Sequence, residues 1–314
     1  MIGFWQRLAA GQTIRRALGV KLGRLHQYPP RDLSVARIEA LDDESPDWPS
    51  IAIVTPSLNQ GRFLTRAIDS VLAQDYPRLQ YVVQDGVSND GSVALLQAYE
   101  HPALRIRVER DGGTADAINR AFALTDAELM GWLNSDDLYL PGTLRRVGRF
   151  FRDHPGIDVV YGNRLIMDES DREIGRWILP GHDERLLRFV DYVPQETMFW
   201  RRRLWERVGG CLDVDLRFAF DWDLILRFVQ AHAAFCHLPE LFGVFRVHGS
   251  QKTQSQLRSV GRPEMARVRA QYGGLQIPAW SRVWNHLTYL WRHHAAERRF
   301  EGALHGGTHS DGSG

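Results

Sequence analysis

Short runs of β-branched and aliphatic residues alternate, from Ser50 onward, with segments whose apolar residues recur at helical spacing. This alternation is typical of βαβ units, in which parallel strands form a central sheet and the intervening helices cover its faces. The sequence therefore predicts an α/β fold with a Rossmann-like, mostly parallel sheet flanked by helices. Ligands of such sheets bind outside the carboxyl ends of the strands, so the turns after the strands are where functional residues are expected.

The alternation divides the chain into elements bounded by polar turns, glycines or prolines. Helices are predicted at residues 62–74, 92–99, 114–124 and 144–152. Strands are predicted at residues 51–55, 80–84, 104–108, 128–133 and 157–161. Beyond these the pattern is less regular and more aromatic, which indicates a second half of different construction.

The charge of the chain is unevenly distributed. Residues 1–37 carry seven Lys or Arg against one acid, a net +6, whereas residues 38–257 carry 24 basic and 33 acidic residues, a net −9. An acidic body repels nucleic acid, so nucleic acid is not an expected partner. Only two cysteines, Cys211 and Cys236, are present, and we expect them to be buried free thiols in a reducing, cytoplasmic setting.

The first two strands are each followed by a polar turn. Thr55, Pro56, Ser57 and Asn59 end the first strand, and a turn of sequence DGVSNDGS beginning at Asp85 follows the second. A carboxylate at Asp85 is able to accept a hydrogen bond from a ring N–H of a nucleobase. The alternative is a capping and turn-forming acid, and the turn lacks the spacing and closing glutamate of an EF-hand.

The third turn opens a helix through Gly112 and Gly113, with Asp116 and Asn119 in the first turns of that helix. Helix amino termini preceded by glycines bind phosphate groups well. The spacing is neither that of a P-loop nor GxGxxG, so a nucleoside triphosphatase or a nicotinamide enzyme is not indicated.

The fourth turn, Asn134, Ser135, Asp136 and Asp137, places two adjacent carboxylates at the end of a strand. Adjacent acids repel each other, and a hard divalent cation such as Mg²⁺ or Mn²⁺ bound with a diphosphate relieves that repulsion. A solvated acidic turn is the alternative interpretation.

Two further features lie downstream. Asp221 stands among aromatic residues at the start of a predicted helix, and apolar surroundings raise the pKa of a carboxyl towards that of a useful general base. Arg246 and His248 occupy alternate positions of an extended segment and so point the same way. Beside a diphosphate, His248 is able to complete a metal shell while Arg246 offsets charge.

In this order the motifs resemble those of the inverting family-2 glycosyltransferases of the GT-A fold, over about residues 51–253. The resemblance implies that Asp85 holds the nucleobase and that Asp136 binds a divalent cation (Mg²⁺ or Mn²⁺) bridging the diphosphate. It also implies that Asp221 removes the proton of the acceptor hydroxyl and that His248 is an auxiliary ligand of the metal or the diphosphate. The implied donor-binding residues are Thr55, Pro56, Ser57, Asn59, Asp85, Asp116, Asn119, Asn134, Ser135 and Arg246.

The activity implied is transfer of one sugar, of hexosyl type, from a nucleotide-diphosphate sugar to an acceptor hydroxyl with inversion. Glycans or lipid-linked glycans are the implied acceptors, in cell-surface glycan or polysaccharide biosynthesis. We expect a catalytic domain at residues 50–255, with a donor half at 50–140 and an acceptor half at 141–255. A basic extension at 1–49 precedes it. A helical extension at 256–301 and a disordered tail at 302–314 follow, and the first extension is also expected to be helical.

The chain departs from the family pattern at three positions. Asn134 replaces the first acid of the usual DxD, Phe220 stands where a glutamate often precedes the base, and Ile118 replaces a donor-binding arginine. The QxxRW motif of processive members is missing, so a non-processive enzyme is expected. Because Asn134 replaces that acid, the alternative remains that the chain is a nucleotide-sugar-binding protein that has lost its activity. A sugar nucleotidyltransferase is the other rival. Such an enzyme should carry a glycine-rich, basic loop after the first strand, and this chain lacks one there.

The carboxyl-terminal extension contains an apolar stripe at helical spacing, formed by Trp280, Val283, Trp284, Leu287, Leu290 and Trp291. Packing of this stripe on the catalytic domain is the favoured interpretation, because most amphipathic helices face a core. The alternative is peripheral contact with the inner face of a membrane, because arginines accompany the tryptophans. No apolar run in the sequence approaches the roughly 20 residues of a membrane span.

Overall fold

The computed structural model describes residues 21–33, 47–249, 251, 256–274 and 276–306. Most of the basic amino-terminal extension, predicted to be helical, lies outside these residues, and so do residues 307–314 of the tail, predicted to be disordered. Residues 302–306 of that tail are helical instead, because the last helix continues to Gly306. The described segment 21–33 forms turns and one isolated bridge between Arg31 and Glu173 rather than a helix, consistent with the adjacent Pro29 and Pro30.

The strands are β1 Ile51–Ser57, β2 Leu79–Asp85, β3 Leu104–Val108, β4 Leu129–Trp132, β5 Leu138–Tyr139, β6 Val159–Met167, β7 Glu173–Trp177, β8 Met198–Arg201 and β9 Phe235–Arg246. The helices are α1 Gly61–Leu72, α2 Ser92–Gln97, α3 Thr114–Phe122, α4 Thr143–Asp153, α5 Glu184–Leu187, α6 Arg202–Arg207, α7 Phe220–Gln230, α8 Arg262–Gln271 and α9 Ala279–Gly306.

These strands form one sheet in the order β3-β2-β1-β4-β8-β6-β9-β5, with β7 paired to β6. The strands of the donor half, β1 to β4, pair in parallel, and β6 pairs in parallel with β9. Antiparallel pairing brings in β5, β7 and β8. Parallel registers therefore hold most of the paired residues, and the predicted α/β architecture is confirmed.

Residues of β1 alternate between the two faces of the sheet. Ile51 and Ile53 pack with α1 and α4 in one apolar core, while Ala52 and Val54 pack with α3 and α7 in the other. Because both faces are covered, every residue of β1 is buried, as expected for a central parallel strand. The sheet thus presents solvent-accessible groups mainly at the ends of its strands.

The predicted bounds of the donor-half elements agree with the structure to within about two residues, whereas β6 continues six residues past its predicted end at residue 161. Gly162, Asn163 and Arg164 interrupt the apolar pattern there, but pairing with β7 and β9 keeps them in the sheet. The expectation of buried thiols is wrong for Cys211, which is exposed, and Cys236 is only partly covered.

The helix α9 packs on the catalytic domain through one face. Tyr289 packs against Tyr192 with ring centroids 4.9 Å apart, and Nε2 of the buried His293 accepts from the Leu22 backbone N–H at 3.2 Å. Of the predicted apolar stripe, only Leu290 is buried. The expectation that the whole stripe packs on the domain is therefore wrong.

Gly162 lies where β6 meets β9 most closely. A Cβ at this position would lie 2.6 Å from the Phe242 ring and 2.8 Å from the Glu240 carbonyl oxygen. We expect Gly162→Ala to lower the free energy of unfolding by about 2 kcal/mol, because neither a buried ring nor the strand backbone is able to move away cheaply. Urea unfolding measures this. Gly156→Ala, where a Cβ meets nothing within 4 Å, is the control, and equal effects of the two variants would contradict the packing described.

Candidate active site

A cleft of about 540 Å³ opens at the carboxyl ends of the donor-half strands. Turns after β1 and β4 form one part of its lining, and the start of α7 and the strand β6 form another. Among its lining residues are Pro56, Ser57, Asn134, Asp136, Arg164 and Asp221. The first, third and fourth predicted turns and the downstream acid therefore meet in one cavity, as expected for the strand ends of an open α/β sheet. The second turn, which begins at Asp85, contributes no residue to the lining, and neither do Arg246 and His248.

The first two turns are joined through Asp85. Its fully buried carboxylate accepts from the hydroxyl of Ser57 at 2.9 Å and from the backbone N–H and hydroxyl of Ser88 at 2.7 and 2.8 Å. Asn59 adds a second link, since its N–H donates to the Ser88 hydroxyl and its Oδ1 accepts from Asn89. Thr55 is buried and hydrogen-bonds to Tyr81 at 3.0 Å. These contacts fix the shape of the turns, and direct donor contacts of these residues stay a prediction.

The amino terminus of α3 is held by its own acids. Asp111 accepts from the N–H of Gly113 at 2.9 Å, and Asp116 accepts from the N–H of Gly112 at 2.8 Å. Asn119 donates to and accepts from the backbone of Leu212. Of these residues, Asp111 and Gly113 line the cleft. Asp116 and Asn119 are thus placed beside the cleft with intramolecular partners, and their predicted donor contacts are not tested by this arrangement.

The acidic turn after β4 divides its two carboxylates between different environments. Asp137 is buried, and accepts from the backbone N–H of Arg246 at 3.0 Å and the amide of Asn134 at 3.3 Å. Burial raises the pKa of the Asp137 carboxyl well above its usual range, and the negative charges of Asp136 and Glu196 raise it further. Asp136 instead retains access to the cleft.

Asp136 lies against the two basic residues at the end of β9. Its Oδ2 is 2.9 Å from Nε2 of His248, and its backbone carbonyl accepts from Nε of Arg246 at 3.0 Å. The His248 ring also packs on Phe63, with centroids 4.8 Å apart. Both Arg246 and His248 thus contact the acidic turn, and their roles towards a metal and a diphosphate stay a prediction.

The pair formed by Asp136 and His248 fits the chemistry of a divalent cation. The 2.9 Å contact between Oδ2 and Nε2 is a hydrogen bond. It is also close to the separation of about 3 Å between adjacent ligands that lie at about 2.1 Å from an octahedral ion. Carboxylate oxygen and neutral imidazole suit Mn²⁺, and the oxygen suits Mg²⁺. No group of three or more such ligands occurs among the described residues, so remaining positions would be filled by water or ligand oxygens.

Asp221 lies in the first turn of α7 and lines the cleft while keeping partial exposure. Burial raises the pKa of the Asp221 carboxyl to about 6, although the N–H of Trp222, which donates to Oδ1 at 2.8 Å, acts in the opposite direction. A carboxyl with a pKa near 6 is ionised at neutral pH and is still basic enough to accept a proton.

The structure adds cleft residues that the sequence reasoning missed, namely Arg164, Asp191, Gln195 and Glu196. Nη2 of Arg164 donates to the buried Glu196 at 2.6 Å, and the guanidinium lies between the rings of Trp177 and Phe245, 4.6 Å from each centroid. Burial and the charge of Asp221 raise the pKa of the Asp191 carboxyl.

One signal of these residues was present in the sequence. Arg164 is a charge in the middle of an apolar strand, and the pair Gln195 and Glu196 comes directly before another. Residues of this type are seldom buried without a partner, so both segments were candidates for a polar site.

Comparison with known proteins identifies the family. The family profile described as Glycosyl transferase family 2 matches residues 52–209. A "PGL/p-HBAD biosynthesis glycosyltransferase" of Mycobacterium bovis (strain BCG / Pasteur 1173P2) is 30% identical over 183 residues, which cover 57% of this chain and 69% of that protein. The "O-antigen biosynthesis protein RfbC" of Myxococcus xanthus is 30% identical over 232 residues, covering 71% of this chain but 18% of that protein.

Two solved structures share the fold. Residues 1–349 of S. aureus TarS, in complex with UDP-GlcNAc, superpose with a TM-score of 0.58 at 18% identity, covering 71% of this chain and 66% of that one. The mannosyltransferase PcManGT of Pyrobaculum calidifontis, in complex with GDP-Man and Mn²⁺, gives 0.55 at 18% identity, covering 99% and 84%. With this GT-A-like fold and a family profile spanning half its length, the chain belongs to glycosyltransferase family 2.

Proposed function

We propose that this glycosyltransferase moves one sugar from a nucleoside-diphosphate sugar to an acceptor hydroxyl, with inversion at the anomeric carbon. The observation that carries the proposal is the meeting of Asp136 and Asp221 in one cleft. One carboxylate is paired with a histidine at the spacing of metal ligands, and the other has the raised pKa of a general base. A single in-line displacement needs both groups.

In the proposed mechanism Asp221 accepts the proton of the acceptor hydroxyl as its oxygen attacks the anomeric carbon. The C–O bond to the diphosphate breaks in the same step, so the proton ends on Asp221 and the electron pair on the departing phosphate oxygen. Partial burial serves this role, because it keeps the carboxyl basic. Attack from the side opposite the leaving group inverts the configuration.

Asp136 and His248 would hold the divalent cation, Mg²⁺ or Mn²⁺, which supplies charge stabilisation for the leaving diphosphate. Arg246 contributes a fixed positive charge beside the same turn, bonded to the Asp136 carbonyl at 3.0 Å. The Arg246 guanidinium is buried and donates to the carboxylate of Asp171. Its part is therefore to orient the turn and offset the charge of Asp136 and Asp137.

The nucleotide of the donor is proposed to occupy the part of the cleft lined by the turn after β1 and the amino terminus of α3. TarS and PcManGT were solved with UDP-GlcNAc and GDP-Man respectively, which supports a nucleotide-sugar donor of unspecified base here. The named relatives act in PGL/p-HBAD and O-antigen biosynthesis. A glycan or lipid-linked glycan acceptor is proposed on that ground.

Removal of the proposed base tests the catalytic assignment. We expect Asp221→Asn to lower turnover on the order of 100-fold or more, while the dissociation constant of the donor stays within about twofold, because an amide does not accept the acceptor proton. Steady-state kinetics and donor titration by calorimetry measure the two quantities.

Asp223→Asn is the matched control, two residues along the same helix. Asp223 is bonded to Arg227 and Tyr272, so we expect its variant to be less stable yet close to wild type in turnover. Near-normal turnover of Asp221→Asn would remove Asp221 from the base role.

The metal assignment predicts that Asp136→Ala abolishes Mn²⁺-dependent donor binding and that EDTA inhibits the wild-type enzyme. The physical reason is that both proposed protein ligands lie at the one Asp136–His248 contact, so loss of either leaves the diphosphate charge uncompensated. Donor titration with and without Mn²⁺ measures this, with Asp126→Ala on the exposed surface as the control. Activity that survives exhaustive chelation would show that the cation has no part in the reaction.

A further inference from the structure

The outer face of α9 exposes large apolar side chains in a single stripe. Trp280 is 75% exposed, Trp284 64% and Trp291 73%, with Val283 and Leu287 between them at 59% and 49%. All the exposed tryptophans of the described residues lie on this helix. Since the opposite face already packs on the domain, folding of the described chain does not explain the stripe.

The stripe continues into positive charge. His294 and Arg298 follow Trp291 by three and seven residues, which places them on the same helical face. Both are exposed, together with Arg299. Residues 256–302 contain eight arginines and three glutamates, a net +5. An apolar face that ends in cations matches the headgroup region of an anionic bilayer.

We propose that this stripe, defined as Trp280, Val283, Trp284, Leu287 and Trp291, is a docking surface for an anionic membrane. Tryptophan is the side chain most suited to the membrane interface, because its ring is apolar and its N–H remains hydrated. No helix of the described residues is long and apolar enough to span a bilayer. In the proposed arrangement α9 lies along the bilayer surface, with the stripe in the interface.

A second copy of this chain whose α9 packs in parallel fits the stripe less well. A parallel contact between two copies of α9 would place Arg298 and Arg299 against their own counterparts, and like charges repel. Anionic headgroups would instead be attracted to the same residues.

Docking through α9 would also fix the orientation of the cleft. Tyr289, on the inner face of the helix, packs against Tyr192, which lines the cleft. Arg292 anchors the same face to Asp183 at 3.2 Å. A helix so fixed would hold the domain in one orientation at the bilayer surface, and, resting on the proposed function, this suits an acceptor presented on a lipid.

Sedimentation of the full-length protein with vesicles tests the docking. We expect the wild type to bind vesicles containing about 30% phosphatidylglycerol in phosphatidylcholine, more weakly in about 500 mM than in about 50 mM NaCl, and to bind pure phosphatidylcholine least. The triple variant Trp280→Ser, Trp284→Ser and Trp291→Ser should bind at least tenfold more weakly while keeping its melting temperature, because these side chains are exposed.

Matched controls separate the stripe from general surface properties. Leu95→Ser with Val108→Ser removes exposed apolar groups at the far edge of the sheet and should leave vesicle binding unchanged. Arg298→Glu with Arg299→Glu should weaken binding to anionic vesicles. The equal charge change Arg105→Glu with Arg207→Glu, at exposed sites elsewhere, should have little effect.

A wild type that stays in the supernatant at low salt, or a triple tryptophan variant that binds as the wild type does, would overturn the proposal. A dimer in light scattering that the triple variant converts to monomer, without vesicle binding, would also overturn it and make a second copy the occupant. The assay requires neither donor nor acceptor. Its failure would therefore leave the glycosyl transfer reaction untouched, and the inactive Asp221→Asn should bind vesicles normally.

Discussion

The hydrogen bond from the Arg246 backbone N–H to the buried carboxyl of Asp137 joins the two halves of the site. Asp137 belongs to the turn that ends the parallel strands of the donor half, and Arg246 is the last residue of β9. Through this contact the turn that carries Asp136 is held against the segment that carries His248. The proposed metal position depends on it, since neither element alone supplies both ligands.

Electrostatics explains why a cation is expected in the cleft. Asp136, Asp191, Glu196 and Asp221 line it, while Arg164 is committed to Glu196 by a buried ion pair. Burial raises the pKa of the Asp191 carboxyl, and the negative charge of Asp221 raises it further. Burial also raises the pKa of the Glu196 carboxyl, and the negative charge of Asp136 acts in the same direction. A divalent ion beside Asp136 would lower the repulsion and at the same time attract a diphosphate. On this basis the proposed function has the anionic donor bind together with a divalent cation.

The donor half was predictable because its signals are local. The strand β1, for example, begins with a continuous apolar run at residues 51–54 and ends in polar residues at the carboxyl edge of the sheet. Asp221 was proposed as a base from its aromatic setting and from the family resemblance, and it lines the cleft, while its catalytic role stays a prediction. Arg246 and His248 were proposed from their alternate spacing and from the same resemblance, and both contact Asp136, while their roles stay a prediction.

The acceptor half was less predictable because long-range pairing builds it. Arg164 enters the cleft because β6 runs on beside β7 and β9, which a local pattern does not encode. The packing of α9 was not predictable from the local pattern either. Periodicity located an apolar stripe on this helix, but it did not show which face packs on the catalytic domain. Tyr289 and His293, which are not part of that stripe, make the contacts with the domain.

The dependence of kcat/KM on pH, measured with a saturating divalent cation, tests the central role of Asp221 most directly. The pKa of about 6 for its carboxyl predicts a plateau near neutral pH and a fall of about tenfold between pH 7 and pH 5, because the base is lost as it becomes protonated. Asp221→Asn should retain only residual activity without this limb. A wild-type kcat/KM that stays constant down to pH 5 would contradict the account.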